Sequence, residues 1–288
     1  MNENKLDLLI TLLDDPDDSV FQPVLEEILK ADISVVDHLE HIWETSLDDL
    51  VQKRIELIIQ QIQFNDAKKR IKSWASEQAI DLFDGFFLIS RQQFPELKLK
   101  SVQVQLDNIR KDIWLEFRNS LTSLEKITIL NHIVFDHYRF KIDRKNPDSP
   151  NLCYINRILE SRKGNPVSLT ILYTLIARSL KLPVHYIDIP NGPLVGYFDQ
   201  AIARLAHGDD YGNSVIFYIN PSNKGAIIGP REVDYIQPVR EMTNRAKLTE
   251  PCADRIIIKR LLEKLIFAYS QAGATDKVSD LSKIAGIL

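Results

Sequence analysis

Residues 166–180 limit what this chain can fold into more than any other stretch. Val167, Leu169, Ile171, Leu172, Leu175 and Ile176 crowd into one short segment whose only charge is Arg178, and a helix this poor in polar residues has to be buried. Its beginning is clearly marked. Pro166 suits a first helical turn, where its missing N–H is not needed, and Asn165 has the side-chain oxygen of an N-cap. Three short segments follow, Val184-His185-Tyr186-Ile187, Leu194-Val195-Gly196-Tyr197-Phe198 and Val215-Ile216-Phe217-Tyr218-Ile219, each β-branched or aromatic and bounded by Pro, Gly or Asn. The pattern predicts a small antiparallel sheet beside a buried helix.

The rest of the chain reads as helix. From Leu6 to Ile62 apolar residues recur at spacings of three and four, and the break Asp14-Asp15-Pro16-Asp17-Asp18-Ser19 supplies oxygens and negative charge to an incipient helix N-terminus. That break resembles the inter-helix turn of HEAT-type repeats. Residues 79–93, 102–118 and 123–137 are predicted as three more helices, whose aromatic residues Phe83, Phe86, Phe87, Trp114 and Phe117 read as core. A polar loop over 141–151 precedes a short helix over 152–160. The tail, 256–271 and 277–287 hinged at Gly273, resembles a tetratricopeptide-type hairpin through Leu262, Ile266 and Tyr269. The expected organisation is α+β and mostly helical: a HEAT-like region over 1–75, a core with helical lead-in over 76–242, and a helical hairpin over 243–288.

Composition narrows the function classes. A formal charge of -4 and a pI near 5.9 give no cationic excess for phosphate backbones or anionic lipid, so neither nucleic acid nor membrane is expected as a partner. Cys153 and Cys252 form no CxxC pair, which argues for a reducing compartment and against a disulfide framework or a cysteine zinc site. The N-terminal apolar run is interrupted by Asp7 and closed by aspartates. It does not read as a signal peptide, and the expected address is the cytoplasm.

Three strings carry a family likeness. Residues 153–169 run from Cys153-Tyr154-Ile155-Asn156-Arg157 to Gly164-Asn165-Pro166-Val167-Ser168-Leu169; Leu182-Pro183-Val184 follows, then Phe217-Tyr218-Ile219-Asn220-Pro221-Ser222-Asn223-Lys224-Gly225. In order and spacing they resemble a bacterial transglutaminase-like (papain-like) family, the invasion-regulator branch, which has a tetratricopeptide-like C-terminal segment. The resemblance implies a site with a nucleophilic Cys at the start of the buried helix, a His on the next strand and an Asp on the strand after it. A helix N-terminus and an imidazolium lower a thiol's pKa, and a carboxylate orients the imidazole. Here the helix start offers Gly164-Asn165-Pro166-Val167-Ser168 without a thiol, Gly192 of Pro190-Asn191-Gly192-Pro193 stands where the His is expected, and Asn220 replaces the acid.

Substitute residues are few. Ser168 with His185 is the only candidate pair for an unorthodox hydrolase or acyltransferase, and it requires the two within hydrogen-bond reach, roughly 3 Å. Cys153 reads as structural, in the helix before the core and away from any helix N-terminus. His132 and His137 are five apart and His38 and His41 three apart, with Asp37 and Glu40 beside the latter; neither set makes a convincing metal site, and no cofactor is expected. What remains is a polar cleft of Glu160, Arg162, Asn165, Ser168, Asn220 and Asn223, with Lys224 beside it, in which Arg162 is expected to pair with Glu160 or neutralise another carboxylate. Uncharged amides with one or two cations suit the holding of a peptide backbone or carboxylate without cleavage. The expectation is therefore a noncatalytic scaffold or regulatory protein with a protein or peptide partner, or a sensor of a small carboxylate or peptide.

Overall fold

A computed structural model describes residues 3–77, 80–190, 192–207, 214–240, 242 and 244–288. The chain forms two compact units, Met1–Ser73 and Trp74–Leu288.

In the first unit, α1 (Glu3–Ile10), α2 (Asp18–Ile28), α3 (Val36–Thr45) and the start of α4 (Asp49–Ser76) enclose a core of Leu13, Ile28, Leu39, Ile55 and Ile58, all fully buried. The acidic break does the capping predicted for it, with Asp17 Oδ1 accepting the Ser19 N–H at 2.8 Å. Arg54, 6% exposed, reaches from α4 to the Leu13 and Asp15 carbonyls and to Asp18 at 3.2 Å. One guanidinium thus satisfies carbonyls that the α1–α2 turn leaves without helical partners.

The second unit starts with α5 (Leu82–Gln93), α6 (Leu99–Glu116) and α7 (Ser123–Asn131). Residue 79, where the first of these helices was expected to begin, lies outside the described residues; the helix starts at Leu82 because Asp81 accepts the Phe83 and Asp84 N–H groups. After α7 the coil widens into a π-helix over His132–His137, with Tyr138 N–H bonded five residues back to Ile133 O at 2.8 Å. Then come β1 (Lys141–Ile142), a 3₁₀ turn over Pro150–Cys153, α8 (Ile155–Ser161), β2 (Lys163–Gly164), α9 (Pro166–Ser179), β3 (Val184–Ile187), β4 (Leu194–Phe198), α10 (Gln200–His207), β5 (Val215–Asn220), β6 (Ala226–Ile228), α11 (Gln237–Arg240), α12 (Asp254–Gln271) and α13 (Thr275–Ala285).

The expected helix over 152–160 is in fact two elements, because Tyr154 is extended (φ -110°, ψ 129°) and separates the 3₁₀ turn from α8. The sheet has four antiparallel strands in the order β3-β4-β5-β6, one more than the sequence suggested, and β1 and β2 form a separate parallel pair. β6 escapes the sequence pattern because three residues, Ala226–Ile228, are too few to show alternation.

The buried helix is where the pattern put it. Leu169, Ile171, Leu172, Tyr173, Ile176 and Ala177 of α9 are at most 2% exposed, flanked by α6, the sheet and α12. The tail is integral to this unit: Ile257, Ile258, Leu261, Leu262 and Leu265 of α12 are all 0% exposed.

Candidate functional site

The chemistry of the core turns on the first residues of α9. Asn165 has extended backbone (φ -97°, ψ 173°) and caps the helix. Its Oδ1 accepts the Ser168 N–H at 2.9 Å, and Ser168 Oγ accepts the Asn165 N–H at 3.1 Å. The Ser168 hydroxyl donates to Asn165 O at 3.3 Å. This is a reciprocal capping box made by Asn and Ser. Gly164 lets it close, since a Cβ there would stand 2.9 Å from Ser168 Oγ and 2.8 Å from Leu169 Cγ. Asn165 Nδ2 donates in turn to Leu152 O at 3.3 Å and to Cys153 Sγ at 3.0 Å.

Cys153 therefore lies beside the N-cap of α9, contrary to the sequence expectation that no helix N-terminus is near it; the turn at Pro150–Cys153 carries it there. The thiol is nonetheless shielded. It is 0% exposed, and burial pushes it up to about 12, outweighing the Asn165 hydrogen bond and the Lys264 charge.

Ser168 and His185 are not partners. Ser168 is 0% exposed and its hydroxyl is used within the box. His185 lies edge-on to the Phe198 ring at 5.0 Å and senses Arg178 and Asp254. Arg178 is ten residues along α9 from Ser168, about 15 Å at 1.5 Å per residue. Burial, then Arg178, lowers the His185 pKa, with Asp254 opposing the shift.

At the far ends of the strands, Asn220 caps the turn after β5, Oδ1 accepting the Ser222 N–H at 3.0 Å. Its carbonyl accepts the Gly225 N–H at 2.9 Å. Gly192 precedes β4 in a turn where a Cβ would meet no atom within 4 Å. The residue carried against α9 is instead Pro193, whose carbonyl accepts the Thr170 hydroxyl at 3.3 Å. Neither Gly192 nor Pro193 carries a side chain that could act as a base.

The six residues expected to share a cleft engage different partners. Asn165 and Ser168 form the buried knot. Asn223 and Lys224 are exposed beside Asn220, with Lys224 reaching Asp136 at 3.5 Å. Glu160 pairs with Arg157 at 2.9 Å and not with Arg162; α8 places Arg157 and Glu160 three residues apart on one face. Arg162, left-handed at φ 60°, lays its guanidinium over Phe140 and Tyr138 at 5.0 and 5.4 Å. His132 and His137 both line a cleft between α6 and the π-helix, because a π turn brings residues five apart nearly into line. The sequence reading assumed α-helical spacing. Among the described residues no group of three or more His, Cys, Asp or Glu side chains is disposed to hold a metal ion, and no helix is long and apolar enough to cross a membrane.

The cleft that opens at the start of α9 is built largely from residues the sequence did not single out. It measures about 580 Å³. Its apolar surface is Pro166, Val167, Ile189, Pro190 and Phe267; its charges are Asp148, Asp188, Arg260, Glu263 and Lys264. Asp188, 7% exposed, takes Arg260 Nε at 3.0 and 3.1 Å and Nη2 at 2.9 Å, a forked pairing that raises the Arg260 pKa and fixes its charge. Arg260 Nη1 donates to Glu263 at 2.8 Å and Lys264 Nζ to Asp148 at 2.8 Å. Arg260, Lys264 and Phe267 follow at spacings of four and three along α12 and so share one face. That spacing was legible; that the face meets the start of α9 was not.

A small sheet at the flank of a buried helix, with the helix start open to a cleft, defines a transglutaminase-like class of core. Residues 100–263, more than half of the chain, match the transglutaminase-like superfamily, and the chain belongs to it. A UPF0162 protein of Xylella fastidiosa is 24% identical over 213 residues, 70% of each chain. Human F-box only protein 21 is 24% identical over 161 residues, 49% of this chain and 25% of that one. UPF0162 protein PM0557 of Pasteurella multocida is 31% identical over 76 residues, 26% of this chain and 29% of that one. No solved structure matches.

Proposed function

We propose that this chain is a noncatalytic member of the superfamily, a scaffold or regulatory protein that holds a protein or peptide partner at the cleft beside α9. The observation that carries the reading is the closed capping box: where a nucleophile would stand, Asn165 and Ser168 bond to each other and the nearest thiol is buried and held far from its thiolate. An amide at position 220, committed to its own turn, offers no carboxylate to orient a base. On the same reading the helical first unit and the α12–α13 hairpin act as HEAT-like and tetratricopeptide-like surfaces for the partner, in the manner of the invasion-regulator branch that the sequence resembles, and the protein works in the cytoplasm.

The test is labelling of the native protein with thiol-directed and serine-directed probes, with sites mapped by mass spectrometry. Neither Cys153 nor Ser168 is expected to react in the native protein, and unfolding is expected to expose Cys153 alone, because an unactivated serine hydroxyl stays a weak nucleophile. Stoichiometric labelling at one position of the native protein, lost on Ser168→Ala or Cys153→Ser and lost on unfolding, would reveal an activated nucleophile and end the noncatalytic reading.

A further inference from the structure

We infer that the cleft beside α9 binds a short peptide of two or three residues with both termini free and an apolar side chain. The inference rests on the noncatalytic reading and names the ligand class of the same site.

Unsaturated hydrogen-bonding capacity of both signs faces one cavity. The Lys264 ammonium has three protons, and among the described residues only one is engaged, by Asp148 Oδ1. Arg260 is anchored through one proton each of Nε, Nη1 and Nη2, which leaves a second proton on each terminal nitrogen. These donors suit a carboxylate. On the acceptor side, Glu263 Oε1 and Asp148 Oδ2 have no partner among the described residues, and Glu263 and Asp148 are 44% and 45% exposed. They suit an ammonium group.

The balance of charge selects against other ligands. The lining itself carries Asp148, Asp188 and Glu263 against Arg260 and Lys264, one negative charge in excess, and Lys247, outside the lining and 3.7 Å from Asp188, brings the local balance to zero. A polyanion or polycation gains nothing from a neutral cleft, whereas a zwitterion meets a donor set and an acceptor set that already stand fixed by each other, with little ordering left to do. Between them lies apolar surface. Phe267 is 46% exposed although Lys264 Nζ stands 4.6 Å over its ring, and Pro166 and Val167 line the same cavity. A volume near 580 Å³ falls within the range of about 300–1,000 Å³ usual for small-ligand sites, room for two or three residues.

The experiment is calorimetric titration of the full chain with leucyl-leucine, its N-acetyl form and its C-terminal amide, each against wild type, Lys264→Met, Glu263→Gln and Phe267→Ala, with thermal melts to establish that each variant is folded. The free dipeptide is expected to bind saturably. Either cap is expected to weaken binding about tenfold, the cost of leaving one charged group unpaired. Phe267→Ala is expected to weaken all three ligands alike; Lys264→Met should shrink the difference between acid and amide, with Arg260 still donating, and Glu263→Gln should shrink that between free and acetylated amine. Equal affinity for capped and free forms, or no saturable binding to folded wild type, overturns the inference. Recovery of the dipeptide by mass spectrometry separates the two readings: hydrolysed ligand ends the noncatalytic one and leaves the site, while intact but unbound ligand ends the site alone.

Discussion

Gly225 and Asn131 show how narrowly single residues define the strand end of the core. Gly225 has φ +73°, and a Cβ there would stand 2.1 Å from Asn131 Oδ1. The Asn131 amide donates to Gly225 O at 2.8 Å while its oxygen accepts the Tyr173 hydroxyl at 2.7 Å, so one side chain ties the turn after β5 to the middle of α9. His185 makes a prediction at the same scale. Its pKa is lowered in the folded state, by burial first and Arg178 second, so below the unfolded value of 6.5 the unfolded chain binds more protons. The stability it contributes is complete above that value and is lost as the pH falls through it toward the folded pKa. Urea midpoints are expected to drop from about pH 7.5 to about pH 5.5, and less so in His185→Gln; the same drop in the variant would exclude His185 as its source. The effect will be modest, because the side chain is only half-buried and Asp254 opposes the shift.

Among the elements, α9 depends most on its cap. Asn165→Ala removes the box's acceptor, a loss of about 0.5–2 kcal/mol at an ordinary helix, and strands Ser168 and the Leu152 carbonyl in a dry interior, which raises the expected total to about 2–4 kcal/mol. Asn165→Asp retains the acceptor for Ser168 N–H but loses the donor to Leu152 O and Cys153 Sγ, and should fall between Ala and wild type. Urea denaturation of the three proteins checks the order. If Asp proves as damaging as Ala, the Nδ2 contacts outweigh the cap. The π-helix after α7 makes a different point: nothing in His132-Ile133-Val134-Phe135-Asp136-His137 distinguishes it from an α-helix in sequence, and the wide turn appears because Ile133, Val134 and Phe135 are all drawn into the core.

For the second unit as a whole, α12 is structural as well as a wall of the cleft. Five of its residues have no exposed surface, and burying each contributes about 1.5–3 kcal/mol. Arg178–Asp254 at 2.8 Å and Arg260–Asp188 at 2.9 Å tie it to α9 and to the residue that follows β3. Deleting residues 254–288 therefore removes about as much as the total stability of 5–15 kcal/mol usual for a domain. The truncated protein is expected to lose cooperative unfolding of the unit, measured by near-ultraviolet circular dichroism through a thermal ramp. A sharp transition within a few degrees of the full chain would show the hairpin to be an ornament.

The sequence by itself determined much of the local structure. The apolar run after Pro166, its Asn165 cap, the aspartates that start helices in the first unit and the absence of a cysteine from residues 164–168 are all matters of residue type and short spacing, which the chain states directly. Tertiary structure decided which groups meet. Cys153 reaches the α9 cap because an extended Tyr154 breaks a helix that periodicity would have continued. Arg162 prefers two aromatic rings to the carboxylate two residues before it, and the cleft takes three of its five charges from α12, about 100 residues beyond the helix start it faces. Helical periodicity tells which side chains share a face and carries no information about what that face will meet, because packing partners are selected by burial across the whole unit.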